Sequence, residues 1–269
     1  MALPAPESGH AAVITGASSG IGEQLAGILA RRGHHVVLVA RSADRLDELA
    51  GQFGPNAHPL PADLSDPAAR AALPDRVAAL GLTPDVLVNN AGFSTLGLVV
   101  RSVPEQELKL VEVDVAAVVD LCSRFLPGMV ERRRGAVLNV ASVAAFGPLP
   151  GQAAYGAAKA FVLSYTHSLR GELRGTGVTA TALCPGPVDT GFGDAAGFSK
   201  EEAEAALPRV MWVSADKVAQ AGIDGLAAGK AVVVPGFVNR VASELFRVAP
   251  PELLLPLLTR VHPALKRGQ

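Results

Sequence analysis

Hydrophobic positions in this chain fall into two kinds of run. Short, nearly continuous apolar stretches occur at 11–15 (AAVIT), 35–40 (HVVLVA), 56–60, 85–89 (DVLVN), 136–141 (AVLNVA), 177–183 (GVTATAL) and 231–234 (AVVV), the signature of buried strands. Longer stretches with apolar residues at helical spacing lie between them: 21–32, a segment opened by Ser42, 66–80, 104–132, 152–174 and 215–228. The alternation predicts an α/β fold, and 269 residues suffice for one large domain with a sizeable core. Residues 191–215, which include Met211 and Trp212, follow no clean period and read as a substrate lid. From Ala242 to Val261 the chain is apolar but interrupted by Pro250, Pro251 and Pro256. It would cover a greasy substrate channel, rest on a membrane surface or pack on a partner subunit, with packing the default expectation.

The chemistry concentrates between Ser142 and Lys159. Tyr155 and Lys159 are four apart on a predicted helix, so they share a face one turn apart. Ser142 lies thirteen residues upstream, just past a predicted strand, and the Gly/Pro loop between can fold its hydroxyl back toward the helix. A free phenol ionises at about pH 10. A neighbouring ammonium favours the phenolate, and a serine hydroxyl can hold a carbonyl oxygen on which charge develops. The trio fits proton delivery to a carbonyl oxygen as hydride reaches its carbon, or the reverse. Y-x-x-x-K by itself is common on exposed helices, so the rest of the chain has to decide.

Between the first strand and first helix lies Thr15-Gly16-Ala17-Ser18-Ser19-Gly20-Ile21-Gly22. A strand, a glycine turn and a helix start make an anion site, because glycines allow close backbone approach and the helix N-terminus favours phosphate. The spacing G-x-x-x-G-x-G departs from the common dinucleotide fingerprint but has the same mechanics. The same residues satisfy G-x-S-x-G, the nucleophile elbow of serine hydrolases. Such an elbow follows earlier strands that supply an oxyanion N–H, and only fifteen residues precede Gly16 here. His167 and His262 have no distinctive context as bases, so the hydrolase reading is rejected.

Further ligand positions are expected at strand ends. The second strand ends in Ala40-Arg41 with no acid at its tip, which favours a ribose 2′-phosphate and therefore NADP(H) over NAD; a solvated surface arginine is the alternative. Asp63, followed by Leu64, either reaches a donor on the adenine ring or anchors a turn. Asn89-Asn90-Ala91-Gly92 closes the fourth strand where open α/β sheets bind ligands. The turn Cys184-Pro185-Gly186-Pro187-Val188-Asp189-Thr190 would close over the nicotinamide half of the cofactor.

Charge and composition remove other classes. A net charge of −1 gives no pull toward nucleic acid, and Arg132, Arg133 and Arg134 read as complements to a helix C-terminus. The histidines lack ligand spacing, with His34 and His35 adjacent, so no metal site is expected. Cys122 and Cys184 sit in apolar contexts and read as small buried hydrophobes in a reducing compartment. The start MALPAPESGH lacks the basic and apolar regions of a signal peptide, and no run is long enough for a transmembrane span. The expectation is a cytoplasmic protein.

Thr15-Gly16-x-x-x-Gly20-x-Gly22, Asn89-Asn90-Ala91-Gly92, Ser142, Tyr155-x-x-x-Lys159 and Pro185-Gly186, in this order over residues 10–235, resemble the short-chain dehydrogenase/reductase family. The resemblance implies a Rossmann-like, doubly wound, seven-stranded parallel sheet in the order 3-2-1-4-5-6-7, within one catalytic domain carrying a C-terminal extension at 236–269. It implies Tyr155 as general acid/base, Lys159 lowering its pKa and binding the nicotinamide ribose, and Ser142 positioning the carbonyl. Gly16, Ser18, Ser19, Gly20, Ile21, Gly22, Arg41, Asp63, Leu64, Asn90, Ala91, Gly92, Pro185, Gly186, Val188 and Thr190 would hold NADP(H) together with Tyr155 and Lys159.

The pattern departs from the family at one position. Val111-Glu112-Val113-Asp114-Val115 places Asp114 where members carry an Asn that holds a water linking the lysine to solvent. An Asp can hold the same water, while its charge stabilises the ammonium and offsets the pull of Lys159 on Tyr155. The far end (MWVSADKVAQ, VVVPGFVNRV) is similar to bacterial ketoacyl and long-chain ketone reductases. The implied substrate is a small carbonyl or alcohol compound; Phe93, Leu96, Phe146, Leu149, Phe192 and Trp212 read as an apolar pocket or, equally, as core. The helices at 104–132 and 152–174 would form a homodimer or homotetramer. A catalytically weak dinucleotide-binding regulator of the same fold is the competing reading.

Overall fold

The apolar runs become seven parallel strands in a computed structural model that describes residues 3–190 and 207–261. They are β1 His10–Thr15, β2 His35–Val39, β3 Ala57–Pro59, β4 Thr83–Asn89, β5 Gly135–Val140, β6 Val178–Leu183 and β7 Val232–Val233. They form one sheet in the order β3-β2-β1-β4-β5-β6-β7, as the family resemblance implies. Helices return the chain between strands: α1 Gly20–Arg31, α2 Ala43–Phe53, α3 Pro67–Ala78, α4 Pro104–Val111, α5 Ala117–Glu131, α6 Ala153–Glu172 and α7 Ala215–Ala227. Both faces of the sheet are covered, which is why the strands are apolar at consecutive rather than alternate positions. Val13, Val37, Leu87 and Val137 face the core that holds α5 and α6 residues, whereas Ile14, Leu38, Val88 and Leu138 face the core that holds α1 and α7 residues.

Strand order reverses beside β1. β1 pairs with β2 on one side and β4 on the other, with Val13 opposite both Val37 and Leu87. The chain leaves the ends of β1 and β4 in opposite directions, opening a crevice at the carboxyl edge of the sheet. Each candidate strand-end residue is delivered to that edge.

One expectation is corrected and one is extended. The helix at 104–132 is interrupted by a π-helical turn, Glu112–Ala116, between α4 and α5. Such turns re-aim side chains and recur at functional sites; here Asp114 is turned fully inward. The turn is anchored by buried Arg70 of α3, which donates to the Leu64 carbonyl at 2.7 Å and pairs with Glu112 and Asp120 at 3.1 Å each. The arginines after α5 do more than complement a helix end. Arg132 and Arg134 converge with His10 on buried Asp85 of β4, with the Arg132 contact at 3.6 Å and the His10 contact at 2.7 Å.

The C-terminal stretch forms two helices, α8 Phe237–Val248 and α9 Pro251–Val261, parted at Pro250. α8 buries Asn239 and Ser243 while Phe237, Val241, Leu245 and Val248 remain exposed. Among the described residues no helix is long and apolar enough to cross a membrane.

Removing Arg70 would leave Glu112 without its partner and the Leu64 carbonyl without its donor. Arg70→Ala is expected to lower the unfolding free energy by roughly 1–3 kcal/mol, chiefly through the unsatisfied Leu64 carbonyl, measured by urea denaturation.

Candidate active site

The glycine turn is shaped by what packs against it. Gly16 and Gly20 adopt left-handed φ values of 65° and 58°, a region that favours glycine. A Cβ on Gly22 would fall 2.2 Å from the Gly16 carbonyl oxygen and 2.4 Å from Asn90 Nδ2. Asn90 donates its side-chain amide to the Thr15 and Gly16 carbonyls at 3.0 and 3.2 Å. The backbone N–H groups of Asn90 and Ala91 donate to Thr15 Oγ1 at 2.9 and 3.0 Å. Asn90 therefore ties the end of β4 to the turn, and Thr15 is the knot. Its place as the last residue of β1 was the available signal for that role.

The turn fits a dinucleotide phosphate. Ser19 precedes α1 in an extended conformation and its side chain makes no cap hydrogen bond, so the first-turn N–H groups are left to an external anion. Thr190, arriving from β6, walls the other side: a Cβ on Gly20 would meet Thr190 Cβ at 3.0 Å. Val188 packs on the adjacent core. Ser18 and Ile21 lie half-buried on the turn, and Ser19 is exposed.

Toward β2, Arg41 is exposed. Asp63 Oδ1 accepts from the backbone N–H and hydroxyl of Ser65 at 2.9 and 2.8 Å, the turn-anchoring alternative. Those bonds, with smaller contributions from Lys109 and Arg41, hold its carboxyl below the usual range. Leu64 is buried. Arg45, which sequence reasoning passed over, donates to the Ser18 carbonyl at 3.3 Å and pairs with Glu23 at 3.0 Å. It braces the turn from outside.

Beyond the turn, β5, α6 and the π-helical turn bring Ser142, Tyr155, Lys159 and Asp114 together. Ser142 Oγ accepts the Ala144 N–H at 3.1 Å and lies 3.5 Å from the Pro185 carbonyl oxygen, and its side chain favours the charged form of the Tyr155 phenol. Lys159 Nζ donates to the Val140 carbonyl at 3.2 Å and stands 5.6 Å from the Tyr155 ring centroid. Its ion pair is Asp114 Oδ2 at 2.9 Å. Asp114 Oδ1 accepts the Phe93 N–H at 3.0 Å. The carboxylate thus touches the ammonium itself, where the family resemblance implied a linking water. Gly92 permits this, because a Cβ there would lie 2.8 Å from Asp114 Oδ2.

Lys159 lowers the Tyr155 pKa, but it does not set the balance. Burial raises the phenol most; Lys159 and the Ser142 hydrogen bond pull it down, Asp114 and Cys184 push it up, and the balance is upward. For Lys159, burial works against the charge, but Asp114 and Tyr155 outweigh it and hold the ammonium above its ordinary pKa. Burial pushes the Asp114 carboxyl up against the opposing pull of Lys159 and the Phe93 N–H. Cys184, also free and buried, has its thiol raised to about 12 by burial.

Around this centre Phe93, Leu96, Phe146, Leu149 and Trp212 are half-buried. Phe192 and most of the expected lid, 191–206, lie outside the described residues. Gln152, at the start of α6, donates its side-chain amide to buried Ser94 Oγ at 2.6 Å.

Residues 10–200 match the family model described as short chain dehydrogenase. A short chain dehydrogenase of Pseudocercospora fijiensis is 39% identical over 190 residues, covering 69% of this chain and 62% of that protein. The chain thus spans about three-fifths of that relative's length. A solved short-chain dehydrogenase from Sphingobium yanoikuyae in complex with NADPH superposes with a TM-score of 0.78 at 32% identity, over 94% of this chain and 97% of that one. A 3-ketoacyl-(acyl-carrier-protein) reductase from Brucella melitensis complexed with NADH superposes at 0.76 with 30% identity, over 85% and 96% of the two chains.

Asp114→Asn removes a negative charge that disfavours the Tyr155 phenolate. In a Tyr165→Phe background, which leaves Tyr155 as the remaining tyrosine of two, its ultraviolet tyrosinate transition is expected at lower pH than with Asp114 intact.

Proposed function

The chain belongs to the short-chain dehydrogenase family, and from that premise we propose that it is an NADP(H)-dependent oxidoreductase interconverting a ketone and a secondary alcohol on a hydrophobic, acyl-type substrate. The convergence of Ser142, Tyr155 and Lys159 beside the glycine turn carries this reading. Gly16 to Gly22, Asn90 to Gly92 and Pro185 to Thr190 would hold the dinucleotide, which supplies or accepts hydride at the substrate carbon. Ser142 holds the carbonyl oxygen by hydrogen bond. Tyr155 carries its proton at neutral pH, as any phenol does, and delivers it to the oxygen as hydride arrives. Lys159 stabilises the phenolate left behind, and Asp114 keeps Lys159 charged. In the reverse direction, alcohol oxidation draws on the phenolate at higher pH.

NADP(H) is proposed over NAD on Arg41, exposed at the tip of β2 with no acid at that tip. The 3-ketoacyl reductase among the solved relatives and the half-buried Phe93, Leu96, Phe146 and Leu149 support an apolar acyl substrate. One domain, a homodimer or homotetramer and a cytoplasmic location belong to the same reading. Exposed Leu108, Val111 and Phe161 on and beside α4 and α6 offer the face for a second copy. A catalytically weak dinucleotide-binding regulator rests on Asp114 alone, the one departure from the family's pattern.

Tyr155→Phe is expected to lower ketone turnover about 10²- to 10⁴-fold with NADPH binding unchanged, measured by NADPH oxidation across ketones of graded chain length and by NADPH fluorescence. NADPH binding with no turnover by the parent across that panel would favour the regulator. Arg41→Ala removes a charged hydrogen bond to the 2′-phosphate, so the KM for NADPH is expected to rise roughly tenfold or more while that for NADH stays.

A further inference from the structure

Asn239, near the start of α8, is 1% exposed and lies beyond the stretch matched by the family model. Its Nδ2 donates to the Met211 carbonyl at 2.8 Å and the Pro235 carbonyl at 3.1 Å. Two glycines make room for the amide. A Cβ on Gly186 would sit 2.4 Å from Asn239 Nδ2 and 2.6 Å from Oδ1, and one on Gly236 would sit 3.1 Å from Nδ2. Ser243, one turn along, donates to the Asn239 backbone carbonyl at 2.5 Å and pins the residue from behind. Oδ1 is buried with no donor among the described residues, a cost that packing by itself does not explain.

Gly186 therefore has a reason to be glycine apart from any cofactor: the space its side chain would fill belongs to Asn239. The preceding Pro185 carbonyl accepts the Val143 N–H at 2.9 Å and lies 3.5 Å from Ser142 Oγ. On the other side, the Val213 N–H donates to the Pro187 carbonyl at 3.1 Å. α8 and α9 also reach the turn after Ser142, since a Cβ on Gly147 would meet Phe246 Cβ at 3.6 Å and Leu254 Cδ1 at 3.7 Å. One buried amide thus joins the turn after β6, the segment carrying Met211 and Trp212, and the C-terminal helix.

We propose that Asn239 is a positioning residue of the active site, locking the Pro185–Gly186 turn that backs Ser142 to the 207–213 segment and to α8, so that the C-terminal helices work as part of the site. Asn239 acts through the turn and touches neither substrate nor cofactor. The inference rests on the reading of this cleft as a dinucleotide site.

Trp212 is the one tryptophan of the chain and adjoins the carbonyl that Asn239 holds, so its fluorescence reports on the lock without any substrate. The test compares the parent, Asn239→Ala, Gly186→Ala and the double variant, with Asn239→Ser as a smaller perturbation should the alanine variant fail to fold. Acrylamide quenching of Trp212 and NADPH affinity are measured well below each variant's melting temperature. Each single substitution is expected to increase Trp212 quenching and weaken NADPH binding roughly tenfold. The double variant should be no worse than Asn239→Ala, because the added methyl then meets no amide. Additive losses in the double variant would overturn the proposal, as would a lower melting temperature with quenching and NADPH affinity unchanged. If the parent itself fails to bind NADPH, the dinucleotide reading has failed, while Trp212 quenching across the four proteins still decides whether the lock exists.

Discussion

A charged ammonium in the dry interior is the feature around which the site is built. Lys159, on α6, is 5% exposed and reaches its ammonium to the end of β5, where an unpaired charge would be expensive. Asp114, the Val140 carbonyl and the face of Tyr155 keep it charged. The first of these depends on its surroundings. Asp114 faces inward on a π-helical turn, Gly92 has no side chain to block it, and Arg70 fixes the turn from α3 through Glu112. A local electrostatic requirement thus reaches into the helix, the strand end and the neighbouring layer.

The aspartate alters the balance between the two titrating groups. A neutral amide would leave the lysine field acting on the phenol largely uncompensated, whereas the carboxylate neutralises part of that field and adds its own repulsion to the phenolate. The result is a phenol that holds its proton more firmly and a lysine that stays protonated across the whole neutral range. Both groups therefore rest in their protonated forms at neutral pH.

The glycines mark where segments meet as much as where a ligand binds. Gly22 faces the Asn90 amide, Gly92 the Asp114 carboxylate and Gly186 the Asn239 amide. In each case a polar side chain from a distant stretch occupies the space a Cβ would take. Three of the glycine motifs are therefore packing sites between strand ends and their neighbours, and whatever ligand enters the crevice meets backbone already held from behind.

The order of strands and helices was legible because it depends on near neighbours: apolar runs, helical spacing and turn residues report the local backbone, and the register of family motifs supplied the strand order. The same locality puts Tyr155 and Lys159 on one helical face. What lay beyond the sequence was decided by contacts between segments far apart in the chain. The inward turn of Asp114 needed the π-helical turn, the convergence of Arg132 and Arg134 on Asp85 needed β4 beside them, and Asn239 could not be connected to Gly186 before α8 was seated. Charge states belong to this second group. Whether Tyr155 is lowered or raised depends on burial and on carboxylates delivered by other elements, and spacing along the chain carries no record of either.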